Sequence, residues 1–281
     1  MRVVERINDV RSTVKEWKSQ GLKVGFVPTM GYLHEGHESL IKKASEENDK
    51  VVVSIFVNPI QFGPKEDLAS YPRDLKRDSE ICERAGANLI FRPENEEMYF
   101  NDFSTFVDMN GLTAELCGKS RPTHFRGVCT VVTTLFNIVA PDRAYFGEKD
   151  AQQLAVVKRM VRDLNIDVEI VGCPIVREED GLAKSSRNTY LSEEERAAAT
   201  ILNKSLMLGK EEIQNGQRNS ASIIKIIEDS IKSEKLARID YVEIVDSSSL
   251  EKVEEINKSV LVAIAVFIGK TRLIDNFTYE L

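Results

Sequence analysis

Apolar residues return at helical spacing from the start of the chain: Val3, Ile7, Val10, Val14 and Trp17 share one stripe, and Gly21 closes it. The pattern then changes. "LKVGFVPT" predicts a strand and "HESLIKKASEEND" a helix. "KVVVSIFVN" is a run of β-branched and aromatic residues without alternation, as expected of a strand buried on both faces. "RDLKRDSEICERAG" predicts a helix and "ANLIFRP" a strand. "GVCTVVTTLFNIVAP" predicts a helix ending at Pro141, and "DRAYFGEKD" a short strand running into a loop. "AQQLAVVKRMVRDLN" carries Leu154, Val157, Val161 and Leu164 on one amphipathic stripe, and "IDVEIVGCPIV" is the next strand.

Strands alternating with helices of this length predict an α/β domain around a largely parallel sheet. Beyond about residue 180 the order changes. "SEEERAAATILNKSLMLGKEEIQNG" and "SASIIKIIEDSIKSEK" are helices in succession. "RIDYVEIVD", "SVLVAIAVFIG" and "TRLIDNFTYE" are strands with short turns. The expectation is a first domain over 1–180 and a smaller α+β domain over 181–281. Ligands of parallel sheets bind at the carboxyl ends of the strands. The polar, glycine-containing segments 28–37, 58–72, 147–153 and 176–188 all fall at predicted strand ends, which points to one shared site.

Composition narrows the classes. The 281 residues are 42% hydrophobic and 30% charged, with 38 basic and 45 acidic residues and a net charge of −7. That balance argues against nucleic acid as the partner and leaves room for a small anionic ligand in a locally basic site. Cys82, Cys117, Cys129 and Cys173 have no CxxC spacing and read as reduced thiols. "MRVVERINDVRS" lacks the apolar core of a signal peptide, and "VLVAIAVFIG" is roughly half the length of a membrane span. The expectation is a cytoplasmic protein with no membrane partner.

Four segments could carry chemistry. "VPTMGYLHEGHES" places His34 and His37 three residues apart, around Gly36, between a strand and a helix. Free N–H groups at a helix start attract anions, and Gly36 lets phosphate approach the backbone. Neither GxGxxG nor GxxxxGK[ST] is present. With no further His or Cys nearby, the pair reads as a phosphate site more readily than as a metal half-site. In "FVNPIQFGPKEDLASYPRD", Asn58 and Gln61 fall at a strand end, and Gln61 offers donor and acceptor to a small polar substrate. Tyr71, Arg73, Asp74 and Asp78 follow, with Asp74 and Asp78 readable as a helix-dipole pair. In "FGEKDAQQLAV", Asp150 can cap a helix, Lys149 can meet phosphate and Gln153 can face the crevice; a capped surface helix with a solvated lysine accounts for the same residues. "REEDGLAKSSRNTYLSEEE" gathers Lys184, Ser185, Ser186 and Arg187 in a loop with the composition of an anion clamp or of a hinge. His124 has no nameable partner and reads as structural.

A strand followed by "PTMGYLHEGH", with "KSSR" much later, resembles the HxGH nucleotidylyltransferase superfamily. More narrowly, "VPTMGYLHEGHESLI", "VSIFVNPIQFGPKEDLASYPRD", "FRGVCTVVTTLFNIVAPDRAYFGEKDAQQLAVVKRMVRDL" and "SSRNTYLSEEER" resemble, in order, the pantoate–β-alanine ligase family. The resemblance implies a Rossmann-type doubly wound parallel sheet with a smaller C-terminal α+β lid domain. It implies ATP as co-substrate with Mg2+, pantoate and β-alanine as substrates, and a homodimer. Carried over residue by residue, the ATP site falls on Met30, Gly31, Tyr32, Leu33, His34, Glu35, Gly36 and His37, on Gly147, Glu148, Lys149 and Asp150, on Val176, and on Lys184, Ser185, Ser186 and Arg187. Pantoate contacts fall on Gln61 and Gln153, with Asn58 and Tyr71 as neighbouring substrate-site candidates. Catalytic roles fall on His37 together with His34, Lys149 and Arg187. Asp78 keeps an acidic, magnesium-site position after "YPR", although Lys76 and Arg77 interrupt the acidic cluster that members often show. Another HxGH transferase, or a nucleotide-binding module without catalysis, are the alternatives.

Overall fold

A computed structural model describes residues 1–64 and 66–281. The chain forms two compact units that are discontinuous in sequence. The first holds Met1–Met109, Arg121–Glu148 and Gln153–Pro174; the second holds Asn110–Ser120, Lys149–Gln152 and Ile175–Leu281. The second unit thus takes in two short earlier segments, and its long segment begins at Ile175. A buried amide joins these two short segments. Gln152 accepts from the Gly118 N–H at 3.3 Å and donates to the Leu112 and Glu115 carbonyls at 2.8 Å each, tying 110–120 to 149–152.

In the first unit, six parallel strands stand in the order β1-β4-β3-β2-β5-β6. They are β1 (Arg2–Val4), β2 (Val24–Thr29), β3 (Lys50–Ile55), β4 (Leu89–Phe91), β5 (Arg143–Gly147) and β6 (Glu169–Cys173). The doubly wound parallel sheet is as expected, with one correction at its edge. The stripe that begins at Val3 is not one helix. Arg2–Val4 pair in register with Leu89–Phe91, and α1 spans only Ile7–Ser19. The reason lies elsewhere in the chain: the Glu97 carboxylate accepts the Ile7 N–H at 2.8 Å and so fixes where the helix begins.

The remaining helices of this unit are α2 (Glu35–Glu47), α3 (Leu75–Arg84), the short α4 (Asn95–Met98), α6 (His124–Val139) and α7 (Ala151–Asp163), whose first two residues belong to the second unit. Along α7 the buried face is Leu154, Val156, Val157 and Met160; Leu164 lies beyond the helix end and is half exposed. Leu33, Leu40, Ile41 and Ala44 pack with Val51, Val53, Ile81 and Ile90 into a core beneath α2 and α3.

The strand order reverses at β2, which has β3 on one edge and β5 on the other. β2 and β5 are paired only at Gly25–Arg143 and Phe26–Ala144, so they part before Thr29 and Gly147. A crevice at such a reversal is where doubly wound sheets bind ligands.

The second unit is an antiparallel sheet of β7 (Ala237–Asp246), β8 (Val260–Ile268) and β9 (Thr271–Tyr279), with helices α5 (Leu116–Ser120), α8 (Glu193–Ala198), α9 (Ile201–Gln214) and α10 (Ser220–Lys232). Leu202, Leu206, Ile223, Ile227 and Ile231 of α9 and α10 pack on Val262, Ile264 and Val266 of β8. A Cβ at Gly209 would stand 2.6 Å from Ile227 Cδ1, so the close approach of α9 and α10 requires glycine there. No helix among the described residues is long and apolar enough to cross a membrane.

Candidate active site

The segment after β2 is shaped by two residues with positive φ, Gly31 (84°) and Tyr32 (51°). Together they turn the chain so that His34 caps α2. The cap is a reciprocal box built from two imidazoles. His34 Nδ1 accepts the Gly36 N–H at 3.1 Å, and His37 Nδ1 accepts the His34 N–H at 3.3 Å. The ring centroids are 4.1 Å apart, tilted by 42°. A backbone N–H only donates, so each Nδ1 must present its lone pair, and each neutral ring carries its proton on Nε2. Both imidazoles thus stand at the positive end of a 13-residue helix, an arrangement suited to phosphate. Glu38, in the first turn, is held by Arg84 at 2.9 Å and Lys42 at 2.9 Å, which lower its pKa to about 2.

Asp78 is tied to the same loop. It is 1% exposed, and its carboxylate accepts the Tyr32 N–H at 2.9 Å and the Leu33 N–H at 2.7 Å. Burial pushes its pKa up, and the two amides pull against that. Both oxygens thus hold the loop that leads into His34. Among the described residues no group of three or more His, Cys, Asp or Glu is arranged to hold a metal ion. Asp74, by contrast, caps α3 by accepting the Arg77 N–H at 3.0 Å, as its dipole reading expected. Arg77 also lies over the Tyr32 ring at 4.8 Å.

After β3, a 3-10 turn at Pro59–Gln61 carries the substrate-site glutamine. The Gln61 amide donates to Met30 Sδ at 3.2 Å, which brings the two loops together. Its Oε1 accepts from Asn58 Nδ2 at 2.9 Å, and the same nitrogen donates to the Gly127 carbonyl at 3.1 Å. The Tyr99 hydroxyl donates to Asn58 Oδ1 at 2.7 Å. Asn58, expected at the substrate, is 1% exposed and has both N–H donors committed within the protein. His124 is buried and its Nδ1–H donates to the Gln61 carbonyl at 3.1 Å, the structural part expected of it. A Cβ at Gly127 would meet Gln61 Cα at 2.5 Å, so α6 starts flush against this turn. Tyr99 and Gly127 were not singled out from sequence.

A cleft of about 780 Å³ opens beside the loop, lined by Met30, Gly31, Ile55, Phe56, Phe62, Arg73, Asp78 and Arg92 among others. Tyr71 is not on its wall. That ring is buried and packs edge-on against Phe62, with centroids 6.1 Å apart. Gly147 ends β5, and Gln153 is half-buried at the third residue of α7.

The other expected residues belong to the second unit. Lys149 and Asp150 sit in a 3-10 turn with 3.5 Å between their charges, and Asn276 donates to the Lys149 carbonyl at 2.9 Å. Lys184 N–H donates to the Val176 carbonyl at 3.0 Å, and the Lys184 ammonium meets Glu178 at 2.6 Å. Ser185 caps the following turn by accepting the Arg187 N–H at 3.3 Å. The base of this loop is fixed by Arg177, which grips buried Asp275 with bonds of 2.7 and 2.9 Å.

Comparison with known proteins agrees along the whole length. The Pantoate-beta-alanine ligase family model matches residues 2–278. A pantothenate synthetase of Enterococcus faecalis is 73% identical over 281 residues, covering 100% of both chains. The crystal structure of pantothenate synthetase from Thermus thermophilus superposes with a TM-score of 0.94 at 47% identity, covering 99% of each chain. A pantoate-beta-alanine ligase from Francisella tularensis, complexed with beta-gamma ATP and beta-alanine, gives a TM-score of 0.80 at 36% identity, covering 99% of this chain and 97% of that one.

Proposed function

Because this chain belongs to the pantoate–β-alanine ligase family, we propose that it condenses pantoate with β-alanine, driven by ATP. In the first step a pantoate carboxylate oxygen attacks the α-phosphorus of ATP. The bond to the β-phosphate breaks, pyrophosphate leaves and pantoyl adenylate remains. In the second step the amine of β-alanine attacks the acyl carbon, the acyl–oxygen bond breaks and AMP leaves with that oxygen.

The observation that carries this reading is the imidazole box at the N-terminus of α2, opening at the reversal of the sheet. Pantoate is already ionised at neutral pH, so the first step requires no base. It requires compensation of charge on the α-phosphate and on departing pyrophosphate. His34 and His37 supply Nε2–H donors, Met30 to His37 supply backbone, and Lys149, Lys184 and Arg187 are the proposed cations, with Gly147 to Asp150, Val176, Ser185 and Ser186 completing the nucleotide contacts. Lys184 would exchange Glu178 for phosphate. Gln61 and Gln153 are the proposed pantoate contacts, Gln61 also lying near β-alanine. The amine of β-alanine is largely protonated near neutral pH. It must lose a proton first, and with no dedicated base among these residues the proton leaves to water or to a phosphate oxygen.

Magnesium enters as part of the nucleotide substrate, bound by triphosphate oxygens and water, without Asp78. We also propose a homodimer and a cytoplasmic location; four buried, free cysteines support the latter. The test is product release. Pyrophosphate should appear with ATP and pantoate alone, and AMP should turn over only when β-alanine is added. A dinucleotide product would favour another transferase, and nucleotide binding without pyrophosphate release would leave only a binding module.

A further inference from the structure

The amides around Gln61 have a fixed polarity, and it can be traced to its source. The Gly127 carbonyl is an acceptor only, so the Asn58 atom 3.1 Å from it must be the NH2 nitrogen. The second hydrogen on that nitrogen is directed at Gln61, 2.9 Å away, so the Gln61 atom there must be the oxygen. The NH2 group of Gln61 is therefore turned the other way, toward Met30. At the far end, the Tyr99 hydroxyl donates to the Asn58 oxygen at 2.7 Å. Burial raises the Tyr99 pKa, which keeps that hydroxyl protonated and able to donate. Its ring is braced by Phe103 at 4.8 Å and Phe56 at 6.1 Å. Asn58 is 1% exposed, so water does not substitute for any of these partners.

We propose that Tyr99 is a positioning residue which, through Asn58, locks the orientation of the Gln61 amide, with its oxygen on Asn58 and its NH2 group on the Met30 side, selecting an acid that presents carboxylate or hydroxyl oxygens to that NH2 group. This rests on the proposed role of Gln61 as a pantoate contact. Without the hydroxyl, the Asn58 oxygen loses its donor and the amide pair is held from one end only. Tyr99 touches no reacting atom, so its loss weakens the bound substrate and the transition state alike. That raises KM and leaves kcat in place.

The experiment compares Tyr99→Phe, Gln61→Ala and the double variant by pyrophosphate release in the full-length enzyme, varying pantoate and ATP separately. Loss of one neutral hydrogen bond predicts a KM for pantoate raised about five- to tenfold by Tyr99→Phe. The KM for ATP and kcat should stay near wild type, while the melting temperature should fall by a few degrees because the buried Asn58 oxygen loses its donor. In the Gln61→Ala background, Tyr99→Phe should have no further effect on pantoate KM, because the relay then has nothing to aim. An unchanged pantoate KM overturns the proposal. So does an effect that persists in the Gln61→Ala background, or one that falls equally on ATP. Wild-type enzyme that releases no pyrophosphate with pantoate overturns the functional reading itself, an outcome distinct from a failed relay.

Discussion

Replacing Asp78 by Asn separates the two tasks that a carboxylate in this position could have. The wild-type side chain accepts from two backbone amides, at 2.9 and 2.7 Å, in a place where it is 1% exposed. Asparagine has nearly the same shape but only one oxygen, so either Tyr32 or Leu33 must face an NH2 group. A buried donor left unpaired costs about 1–3 kcal/mol. Removing the charge offsets part of this, because burial is the largest influence on Asp78 and raises its pKa. The sign follows from linkage. A carboxyl whose folded pKa is raised binds its proton more tightly when folded, so charging it costs stability as pH climbs from the usual carboxylate range through the higher folded value. Asn lacks that cost. The stability lead of wild type over Asp78→Asn should be widest in acid and narrow toward neutral pH, to about 1 kcal/mol. The local effect should be larger than the global one, since Leu33 adjoins His34. A loop displacement worth about 1.4 kcal/mol raises the KM for ATP roughly tenfold. Pyrophosphate release against ATP at saturating pantoate, with urea unfolding at several pH values, measures both. Wild-type KM for ATP in Asp78→Asn would refute the assignment of Asp78 to the loop, as would a stability gap that widens with pH.

Three further predictions concern different parts of the site. His37→Gln retains a side chain able to accept the His34 N–H, as Gln commonly does at this position of a capping box, so it should abolish turnover while keeping stability; His37→Ala should lose about 1 kcal/mol as well, read by thermal unfolding. Gly127→Ala puts a methyl 2.5 Å from Gln61 Cα, and urea denaturation should show a loss of about 1–3 kcal/mol together with a raised pantoate KM. Arg177→Met leaves buried Asp275 without its bidentate partner, which should cost about 3 kcal/mol and raise the KM for ATP through the Lys184–Arg187 loop; unchanged melting would show that the pair is dispensable.

What the sequence reveals is what local pattern controls. The unalternating, β-branched run at Lys50–Ile55 reads as a strand covered on both faces, which points to a parallel sheet. The β1 edge strand was hidden because Val3 lies on the same apolar stripe as α1, and three residues are too few to display a period. The tie between 110–120 and 149–152 was hidden because Gln152 makes it from about forty residues away. Within the site, the place of the His-Glu-Gly-His loop between a strand and a helix was legible, but the box was not, since position N3 of a capping box is usually Glu or Gln. Asp78 acts across 45 residues and Tyr99 across 41, beyond any spacing rule. One signal for Asp78 was present: it shares a helical face with Ile81 and Cys82, and an acid on an apolar face has a buried partner to satisfy.

The central claim, that the acid is activated as an adenylate, is tested most directly by following oxygen. Pantoate labelled with 18O in its carboxylate should be incubated with the enzyme, ATP and β-alanine, and the AMP analysed by mass spectrometry. Attack of a carboxylate oxygen on the α-phosphorus, followed by departure of AMP from the acyl carbon, transfers one labelled oxygen to the AMP phosphate. Singly labelled AMP formed in step with the amide is the predicted result. Unlabelled AMP accompanying amide formation would contradict the account.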